Sequence, residues 1–369
     1  MNNISSIQQS YLDLKKSRKI ETIENNYISE SWIRCLEKGY DHSKIPESKV
    51  MSQQNLNHAR DENQNVRKFV LPELELLFSQ IAGTNFMVAY ADQHGTVLDT
   101  IYDTEFSENS AKKVVIPGSS WTEELKGTNG LGLAVKTKKA SIVEGKEHFF
   151  DTCCELSCFA SPIFDHKGNV LGVIDASSDA RSREQHTLAL VKLASRSVET
   201  RIFVEQFKSN MIIGFHPRKE YLSTTSMGLI ALNEDGFILG VNVTGKMMLH
   251  GINFDDELTF SKVFSSSFGT IIKKLKTNDL VQITDWMGST VFAYKYQNGF
   301  KRNFLSENVS HLEQKDFRPC KSCSESLIKS KTCIMIKTKF DENNNNYSKT
   351  ARELGISRTT IYKHLENLS

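Results

Sequence analysis

Residues 347–365, YSKTARELGISRTTIYKHL, constrain the fold of this chain more than any other segment. Gly355 can take the left-handed conformation that ends a helix, and Ser357 is a suitable N-cap for the next helix. Apolar residues that can close a small core between two helices are Ala351, Leu354, Ile356, Ile361 and Leu365. The spacing therefore predicts two short helices joined by a tight turn, which is the helix-turn-helix arrangement.

The second of these helices indicates a local contact with double-stranded DNA. In a helix-turn-helix, the start of the second helix enters the major groove or touches the flanking phosphates. The residues predicted to bind DNA are Ser357, Arg358, Thr359, Thr360, Tyr362 and Lys363. Residues 329–369 hold eight Lys or Arg and four Asp or Glu, so they carry +4 while the rest of the +2 chain carries −2. The alternative is a helical hairpin that only caps the protein.

The composition bounds the class of protein. Of the 369 residues, 39% are hydrophobic and 24% are charged, as in globular proteins of two or three domains. No apolar run approaches the roughly 18 residues of a membrane span, and residues 1–10 lack the apolar stretch of a secretory signal. Seven cysteines, an odd number, favour a reducing compartment. We therefore expect a modular cytoplasmic protein that makes no membrane contact.

Residues 66–210 predict a sheet with helices on one face, after a polar, helical lead-in over 1–65. A helix is expected to open at Leu71 and Pro72, because proline is tolerated in a first helical turn. Strands are predicted over 86–90, 96–98, 141–143, 158–163 and 170–175, and a long helix over 186–208. This pattern is typical of an α+β sandwich.

A second, smaller α+β domain is predicted over 218–305. Strands over 227–232 and 237–242 flank the turn NEDG, and further strands cover 281–283 and 291–294. The sequence of residues 240–247, GVNVTGKM, nearly matches the phosphate-binding loop motif. Met247, however, stands where that motif needs a hydroxyl group to hold Mg²⁺. We therefore expect the end of a hairpin here and no nucleotide site.

Several separated motifs resemble one family of bacterial regulators. They are GSSWTEELKGTNGLG at 118–132, EGKEHF at 144–149, CFASPI at 158–163, GVID at 172–175, SWIRC at 31–35 and FHPR at 215–218. With the C-terminal helices, they resemble the sigma-54-dependent, Fis-family regulators of acetoin, glycerol or dihydroxyacetone, and alcohol catabolism. The resemblance implies a multidomain α+β protein with a GAF-type α/β sandwich at 66–210 and a PAS-like domain at 218–305. A linker at 306–328 and an all-α Fis-type helix-turn-helix domain at 329–369 follow.

The sequence departs from this family at one place. Family members usually carry an AAA+ ATPase between the PAS domain and the helix-turn-helix, and residues 306–330 are too few for any nucleotide-binding fold. We therefore expect action without ATP hydrolysis, by binding near a promoter and touching or blocking RNA polymerase. The family also implies an upstream helix, over about 332–341, that builds a homodimer. Such a dimer reads a palindromic operator, with its two half-sites about one DNA turn apart.

The resemblance further implies a small effector, which is an alcohol, an aldehyde or a hydroxyketone. A sheet covered by loops can enclose a mostly apolar pocket with a few polar groups. The residues predicted to bind the effector are Trp121, Thr128, Asn129, His148 and Cys158. The structural alternative is a capped helix start at 127–130 and a core tryptophan. No cofactor is predicted, because the PAS-like segment has no haem or flavin motif.

Two groups of cysteines leave alternatives open. Cys153, Cys154 and Cys158 lie close in sequence and could act in redox sensing or hold a metal, although buried apolar roles are commoner for free cysteine. Candidates for a zinc site are Cys320, Cys323, Cys333 and His311. A single CxxC pair is weak evidence for zinc, so a linker with free thiols is the default.

The leading hypothesis is therefore a sequence-specific DNA-binding transcription regulator that is not an enzyme. Its effector would shift the dimer geometry that presents the C-terminal helices. One alternative is an antagonist of a full-length AAA+ paralogue, either occupying its sites or forming heterodimers with it. A second is a cysteine-dependent redox enzyme that resembles methionine sulfoxide reductases. A third, a protein-binding adaptor, predicts no footprint on DNA.

Overall fold

The computed structural model describes residues 26–44, 50–81, 86–102, 115–178, 184–254, 256–296 and 327–365. The chain divides into two compact units, residues 1–300 and 301–369. The first unit contains two antiparallel five-stranded sheets with helices, and the described part of the second unit is helical. The protein is therefore of mixed α/β class, with a helical C-terminal region. Within the described residues, no helix is both long and apolar enough to cross a membrane.

Among the described residues, three helices precede the first sheet and a long one follows it. Its strands are β1 (Phe86–Asp92), β2 (Val97–Tyr102), β3 (Ser141–Glu144), β4 (Ser157–Phe164) and β5 (Val170–Ser178). The helices are α1 (Asn26–Glu37), α2 (Gln53–Glu62), α3 (Gln64–Ile81), α4 (Glu123–Lys126), α5 (Gly130–Thr137) and α6 (Glu184–Gln206). The strand order is β2-β1-β5-β4-β3, and each neighbouring pair is antiparallel. All five strands that the sequence predicts in this region are present.

The two faces of the first sheet pack against different partners. Alternate side chains of a strand point to opposite faces, so Val88 and Tyr90 face the helices α2, α3 and α6, where Leu74 and Val191 are also buried. Residues on the other face of the sheet are Met87, Ala89, Ala91, Cys158, Ala160 and Val173. They pack against Trp121, Leu131 and Ala134 from the segment that contains α4 and α5. This second face is where the candidate effector-binding residues lie.

Pro72 lies inside α3, so the prediction that a helix opens there is wrong. The helix begins at Gln64, eight residues earlier. A proline inside a helix removes one backbone hydrogen bond, which costs about 3 kcal/mol in an isolated helix. The helix continues because Val70, Leu74 and Leu77, on both sides of the proline, are buried in the core of the first sheet. Tertiary packing therefore outweighs the local preference.

The second sheet is built from β6 (Met211–His216), β7 (Gly228–Leu232), β8 (Ile238–Val241), β9 (Val281–Thr284) and β10 (Thr290–Lys295). Its order is β8-β7-β6-β10-β9, again antiparallel throughout. The sequence predictions omit β6, which lies at the centre of the sheet and before the predicted range 218–305. Three helices pack nearby, namely α7 (Val243–Met248), α8 (Phe260–Val263) and α9 (Phe268–Thr277).

Helix α6 joins the two sheets. Its first part buries Val191, Ala194 and Val198 in the core of the first sheet. Phe203 in its last part and Phe207 directly after its end are buried against the second sheet, together with residues from β6 and β7. A helix of 23 residues is about 34 Å long, which is enough to serve both cores. The helix ends at Gln206, where the sequence predicts an end near residue 208.

The second unit contains α10 (Leu327–Glu342), α11 (Tyr347–Leu354) and α12 (Arg358–Leu365). Helix α10 is longer than the upstream helix that the sequence predicts over 332–341. Each helix of this unit contacts the other two. The predicted linker 306–328 falls almost entirely outside the described residues, which resume at residue 327.

Candidate functional site

The turn between α11 and α12 has the caps that the sequence predicts. Gly355 adopts the left-handed conformation, with φ of 65° and ψ of 25°, and ends α11. The Ser357 hydroxyl accepts a hydrogen bond from the backbone N–H of Thr360 at 3.1 Å, which is the N-cap contact of a helix that begins at Arg358. At the other end of α11, Asn346 caps the helix by accepting from the N–H of Lys349 at 3.0 Å. These caps fix the path of the chain between the two helices.

The core of the second unit is partly polar. Ile361 of α12 is fully buried, as predicted, and Ile336 of α10 is 2% exposed. The buried Asn343 donates hydrogen bonds to the Thr350 hydroxyl at 3.3 Å and to a carboxylate oxygen of Glu353 at 3.0 Å. These bonds join the end of α10 to α11. Because an amide side chain is usually exposed, the sequence does not indicate this buried role of Asn343.

The predicted DNA-binding residues lie together along α12. Arg358, Thr359, Tyr362 and Lys363 are exposed, as is the N-cap Ser357, whereas Thr360 is half-buried and its hydroxyl lies 2.8 Å from that of Ser357. The Tyr362 ring stacks on Tyr347, with ring centroids 4.3 Å apart and an interplanar angle of 18°. Tyr347 in turn contacts Phe340 of α10. The sequence predictions do not anticipate this aromatic row, which orients Tyr362.

A buried polar cluster lies in the first sheet, on the face that packs against α5. His148 Nε2 lies 3.4 Å from Cys158 Sγ, and the Ser177 hydroxyl lies 3.3 Å from the same sulfur. The Ser177 hydroxyl also lies 2.6 Å from Oδ2 of Asp175. All four side chains are at most 3% exposed. The sheet register explains the arrangement, because Cys158 of β4 pairs with Ser177 of β5, and Asp175 lies two residues before Ser177 on the same face.

Burial sets the protonation of this cluster. It raises the pKa of Asp175 to about 7, because no cation offsets the loss of water and only the Ser177 hydroxyl favours the charged form. It lowers the pKa of His148 to about 4 and raises the pKa of the Cys158 thiol well above its usual value. Oδ1 of Asp175 is buried and has no hydrogen-bond partner. Such an oxygen is costly in an apolar core.

The other candidate effector-binding residues have structural contacts of their own. Trp121 is 1% exposed and donates its indole N–H to the Ser119 hydroxyl at 3.2 Å. Asn129 is the N-cap of α5, accepting from the N–H of Gly132 at 2.7 Å. The Thr128 hydroxyl lies 2.8 Å from that of Ser31 in α1. The structure thus brings His148 and Cys158 into contact. Thr128 and Asn129 instead hold in place the segment that contains α4 and α5 and covers this face of the sheet, which we call the covering segment.

The lead-in helix α1 anchors that covering segment. Glu123 of α4 is 4% exposed and accepts two hydrogen bonds from the Arg34 guanidinium, at 2.6 and 2.7 Å, and one from the Ser31 hydroxyl at 2.7 Å. Trp32 donates its indole N–H to the carbonyl of Glu147 at 2.8 Å. The sequence predictions assign Ser31, Trp32 and Arg34 to a lead-in and do not foresee the buried ion pair, which links residues 89 positions apart.

The cysteines of the first unit are poor nucleophiles. Cys153 and Cys158 are at most 3% exposed, and burial raises the pKa of both thiols. Cys154 is half-buried and its pKa is raised to about 11. A redox enzyme needs an accessible thiolate, which these surroundings disfavour.

Three of the four zinc candidates, His311, Cys320 and Cys323, lie outside the described residues, and Cys333 is buried. Among the described residues, no group of three or more potential ligands has the geometry of a metal site.

Residues 240–247, whose sequence resembles a phosphate-binding loop, form the end of a hairpin and the start of a helix. Residues up to Val241 form β8, and Asn242 caps α7. Oδ1 of Asn242 accepts from the N–H of Gly245 at 2.7 Å and from the N–H of Leu229 at 2.8 Å. The Gly245 N–H therefore donates its hydrogen bond to the Asn242 side chain. This geometry is the hairpin end that the sequence predicts.

Comparison with known proteins identifies the C-terminal unit. Residues 333–368 match the family described as bacterial regulatory protein, Fis family. This part of the chain is therefore similar to bacterial regulatory proteins of the Fis family. Residues 49–200, which include the whole first sheet, match the family described as MimR, N-terminal domain. The helix-turn-helix and the first sheet of this chain thus each have a counterpart among regulators.

Individual relatives are named as regulators of catabolic operons. The acetoin catabolism regulatory protein of Cupriavidus necator is 27% identical over 229 residues, which cover 61% of this chain and 34% of the relative. The propane 2-monooxygenase operon transcriptional activator MimR of Mycolicibacterium smegmatis is 32% identical over 133 residues, or 36% of this chain and 23% of the relative. The chain thus spans less than half of the length of these relatives.

One solved structure covers much of the chain. A chain of the E. coli DhaR(N)–DhaL complex aligns over 73% of this chain and 99% of its own length, with a TM-score of 0.48 and 14% sequence identity.

Proposed function

We propose that this chain is a sequence-specific DNA-binding transcription regulator that responds to a small metabolite. The observation that carries the proposal is the exposed row of Arg358, Thr359 and Lys363 on α12, directly after the turn formed by Gly355 and Ser357. In a helix-turn-helix this row faces the major groove and the flanking phosphates. The match of this unit to Fis-family regulators supports the same assignment.

The DNA-binding form is proposed to be a homodimer on a palindromic operator. One α12 is too short to read more than a few base pairs, whereas two helices related by a two-fold axis read two half-sites. Helix α10 is the element that we assign to dimer formation, and its Met335 is 54% exposed. A large exposed apolar side chain on a helix is a suitable contact for a second copy. We place the protein in the cytoplasm, where its operator is.

The sensing region is proposed to be a GAF-type domain over 66–210 and a PAS-like domain over 218–305. The effector class is an alcohol, an aldehyde or a hydroxyketone, and it is assigned to the face of the first sheet that carries His148 and Cys158. Helix α6 packs in the cores of both sheets, so a change at one sheet can be transmitted to the other. A ligand that binds one of two arrangements more tightly shifts the protein toward that arrangement.

Regulation is proposed to proceed without ATP hydrolysis. Residues 306–330 leave no room for an AAA+ domain before the helix-turn-helix, and the hairpin at 240–247 lacks the hydroxyl that a phosphate-binding loop uses. The protein would then act by occupying DNA and touching or blocking RNA polymerase. The missing domain also favours a second mode of action. The protein would occupy the DNA sites of a full-length AAA+ paralogue, or would pair with that paralogue through α10.

A DNA retention experiment tests the proposal. The double variant Arg358→Ala with Lys363→Ala should lose specific retention of the operator at physiological salt while keeping its circular dichroism spectrum. The matched control is Lys273→Ala with Lys276→Ala on α9, which removes the same charge from exposed positions of the other unit. Unchanged retention in the α12 variant would contradict the proposal.

A further inference from the structure

The buried cluster around Asp175 has an ordered set of hydrogen bonds that reveals which groups hold protons. The His148 Nδ1 lies 3.0 Å from the carbonyl oxygen of Gly145, and a carbonyl can only accept, so Nδ1 carries the proton. In the neutral ring, Nε2 is then an acceptor. The Cys158 thiol, 3.4 Å away, therefore donates to it.

The same logic continues to Asp175. Because the Cys158 proton is directed at His148, the sulfur can accept from the Ser177 hydroxyl at 3.3 Å. The Ser177 hydroxyl has one proton, which it donates to Oδ2 of Asp175 at 2.6 Å when the carboxyl group is ionised and can direct at Cys158 when the carboxyl group is protonated. The side chain is 1% exposed and burial raises its pKa to about 7, so both forms of the carboxyl group are present near neutral pH. In the protonated form the donors run from Asp175 through Ser177 and Cys158 to His148.

This arrangement leaves one group without a partner. In both forms Oδ1 of Asp175 is an acceptor, and it is buried with no hydrogen-bond partner. It points toward the first turn of α5, since a Cβ placed on Gly130 would lie 3.5 Å from it. Gly130 has no side chain, and three glycines occupy positions 127, 130 and 132 of this covering segment. The acceptor therefore faces a glycine-rich stretch of backbone.

We infer that Oδ1 of Asp175 accepts a hydrogen bond from the hydroxyl group of a small uncharged effector, which enters between the first turn of α5 and the sheet. The inference rests on the proposed sensing function and narrows it. Alcohols and hydroxyketones carry the required donor, whereas simple ketones and aldehydes do not. The apolar neighbours Met87, Ala89, Trp121, Leu131 and Val173 suit the hydrocarbon part of such a molecule.

The arrangement also explains why the effector must open the protein to bind. Asp175 is 1% exposed, and a Cβ on Gly130 would come within 2.8 Å of Cys158 Cβ, so α5 lies directly on the sheet. Binding therefore requires the covering segment to move. Because that segment is tied to α1 through Glu123 and Arg34, its movement would be transmitted to the lead-in helix.

The test compares matched probes on the full chain. 2-Propanol and acetone have the same carbon skeleton, and only the alcohol donates a hydrogen bond, while hydroxyacetone carries both groups. We expect saturable thermal stabilisation by 2-propanol and hydroxyacetone, with dissociation constants at least about tenfold lower than that of acetone, because the unmatched acceptor stays buried with the ketone. Equal affinity for the alcohol and the ketone would overturn the inference.

Two variants locate the effect. Asp175→Asn keeps an acceptor at Oδ1 and a donor toward Ser177, so it should retain the preference for the alcohol. Asp175→Leu has similar volume and no acceptor, so it should lose that preference. If Asp175→Leu does not fold, the comparison of the two probes on the unaltered chain decides alone.

Absence of binding by all three probes would also overturn the inference. The thermal shift is read without DNA, and operator retention is measured separately. A failure of DNA binding therefore contradicts the proposed function and leaves the comparison of probes readable.

Discussion

The Ser177 hydroxyl lies 2.6 Å from Oδ2 of Asp175, and both side chains are at most 1% exposed in the first sheet. A carboxyl group in this position has exchanged water for one hydroxyl partner. Its ionised form is disfavoured, and its second oxygen is left without a donor. The pair therefore places a hydrogen-bonding group that can hold a proton in the buried interior of the first unit.

Asp175→Asn should stabilise the protein at pH 8 much more than at pH 5. The pKa of Asp175 is about 7 in the folded chain and 3.8 when exposed, so the folded state retains the proton longer. The stability contributed by this proton is fully present below pH 3.8 and is lost as the pH rises to 7. The amide variant lacks this loss, so the difference in unfolding free energy should grow by about 2–3 kcal/mol between pH 5 and pH 8.

Denaturant unfolding of the two proteins at both pH values measures this difference. The exposed Asp256→Asn is the control and should show no such trend. An Asp175→Asn difference that does not change with pH would mean that the carboxyl group is ionised throughout.

Arg34→Ala should destabilise the first unit by about 1–3 kcal/mol, because it leaves the buried carboxylate of Glu123 with the Ser31 hydroxyl and no cation. Arg34 itself is 30% exposed, which places the expected value toward the lower part of this range. The double variant Arg34→Ala with Glu123→Ala should cost less than the sum of the two single variants.

A double-mutant cycle by thermal unfolding gives the coupling energy. Lys38→Ala breaks the exposed pair with Glu124 and should change stability by less than about 0.5 kcal/mol. Strict additivity for Arg34 and Glu123 would show that their contact contributes nothing.

Gly355→Ala should loosen the helix-turn-helix more than Gly355→Asn. The φ of Gly355 is 65°, and a Cβ there meets no atom within 4 Å, so the cost comes from the backbone conformation alone. For alanine this cost is about 1 kcal/mol, and asparagine tolerates the left-handed region better. Hydrogen exchange of amides 347–365 in the full chain measures the effect, and equal protection in both variants would contradict the assigned geometry.

Cys153 and Cys158 should resist alkylation in the folded protein at pH 7.5. Both are buried, and burial raises the pKa of both thiols, so little thiolate is present and access is blocked. Mass spectrometry after iodoacetamide treatment should find both sites labelled only after unfolding in denaturant. Rapid labelling of native Cys158 would instead favour the redox-enzyme alternative. That alternative predicts that the protein reduces methionine sulfoxide and that this activity is lost when Cys153, Cys154 and Cys158 are changed to serine.

The sequence alone determined the elements whose signals are local. The caps at Gly355 and Ser357, the core position of Ile361, and the strands of the first sheet follow from backbone preferences and hydrophobic period, which act over a few residues. The sequence also indicated His148 and Cys158 as candidate site residues, but it did not predict that their side chains are in contact. These features need no knowledge of what lies elsewhere in the chain.

The tertiary structure decided what depends on partners far away in sequence. Pro72 lies inside a helix because both flanks are buried in a core, and β6 is central because β7 and β10 pair with it. The buried pair of Arg34 and Glu123 and the unmatched oxygen of Asp175 exist only once the sheet and its cover are assembled. Burial changes the energy of a charge or a polar atom by several kcal/mol, and burial is a property of the assembled fold.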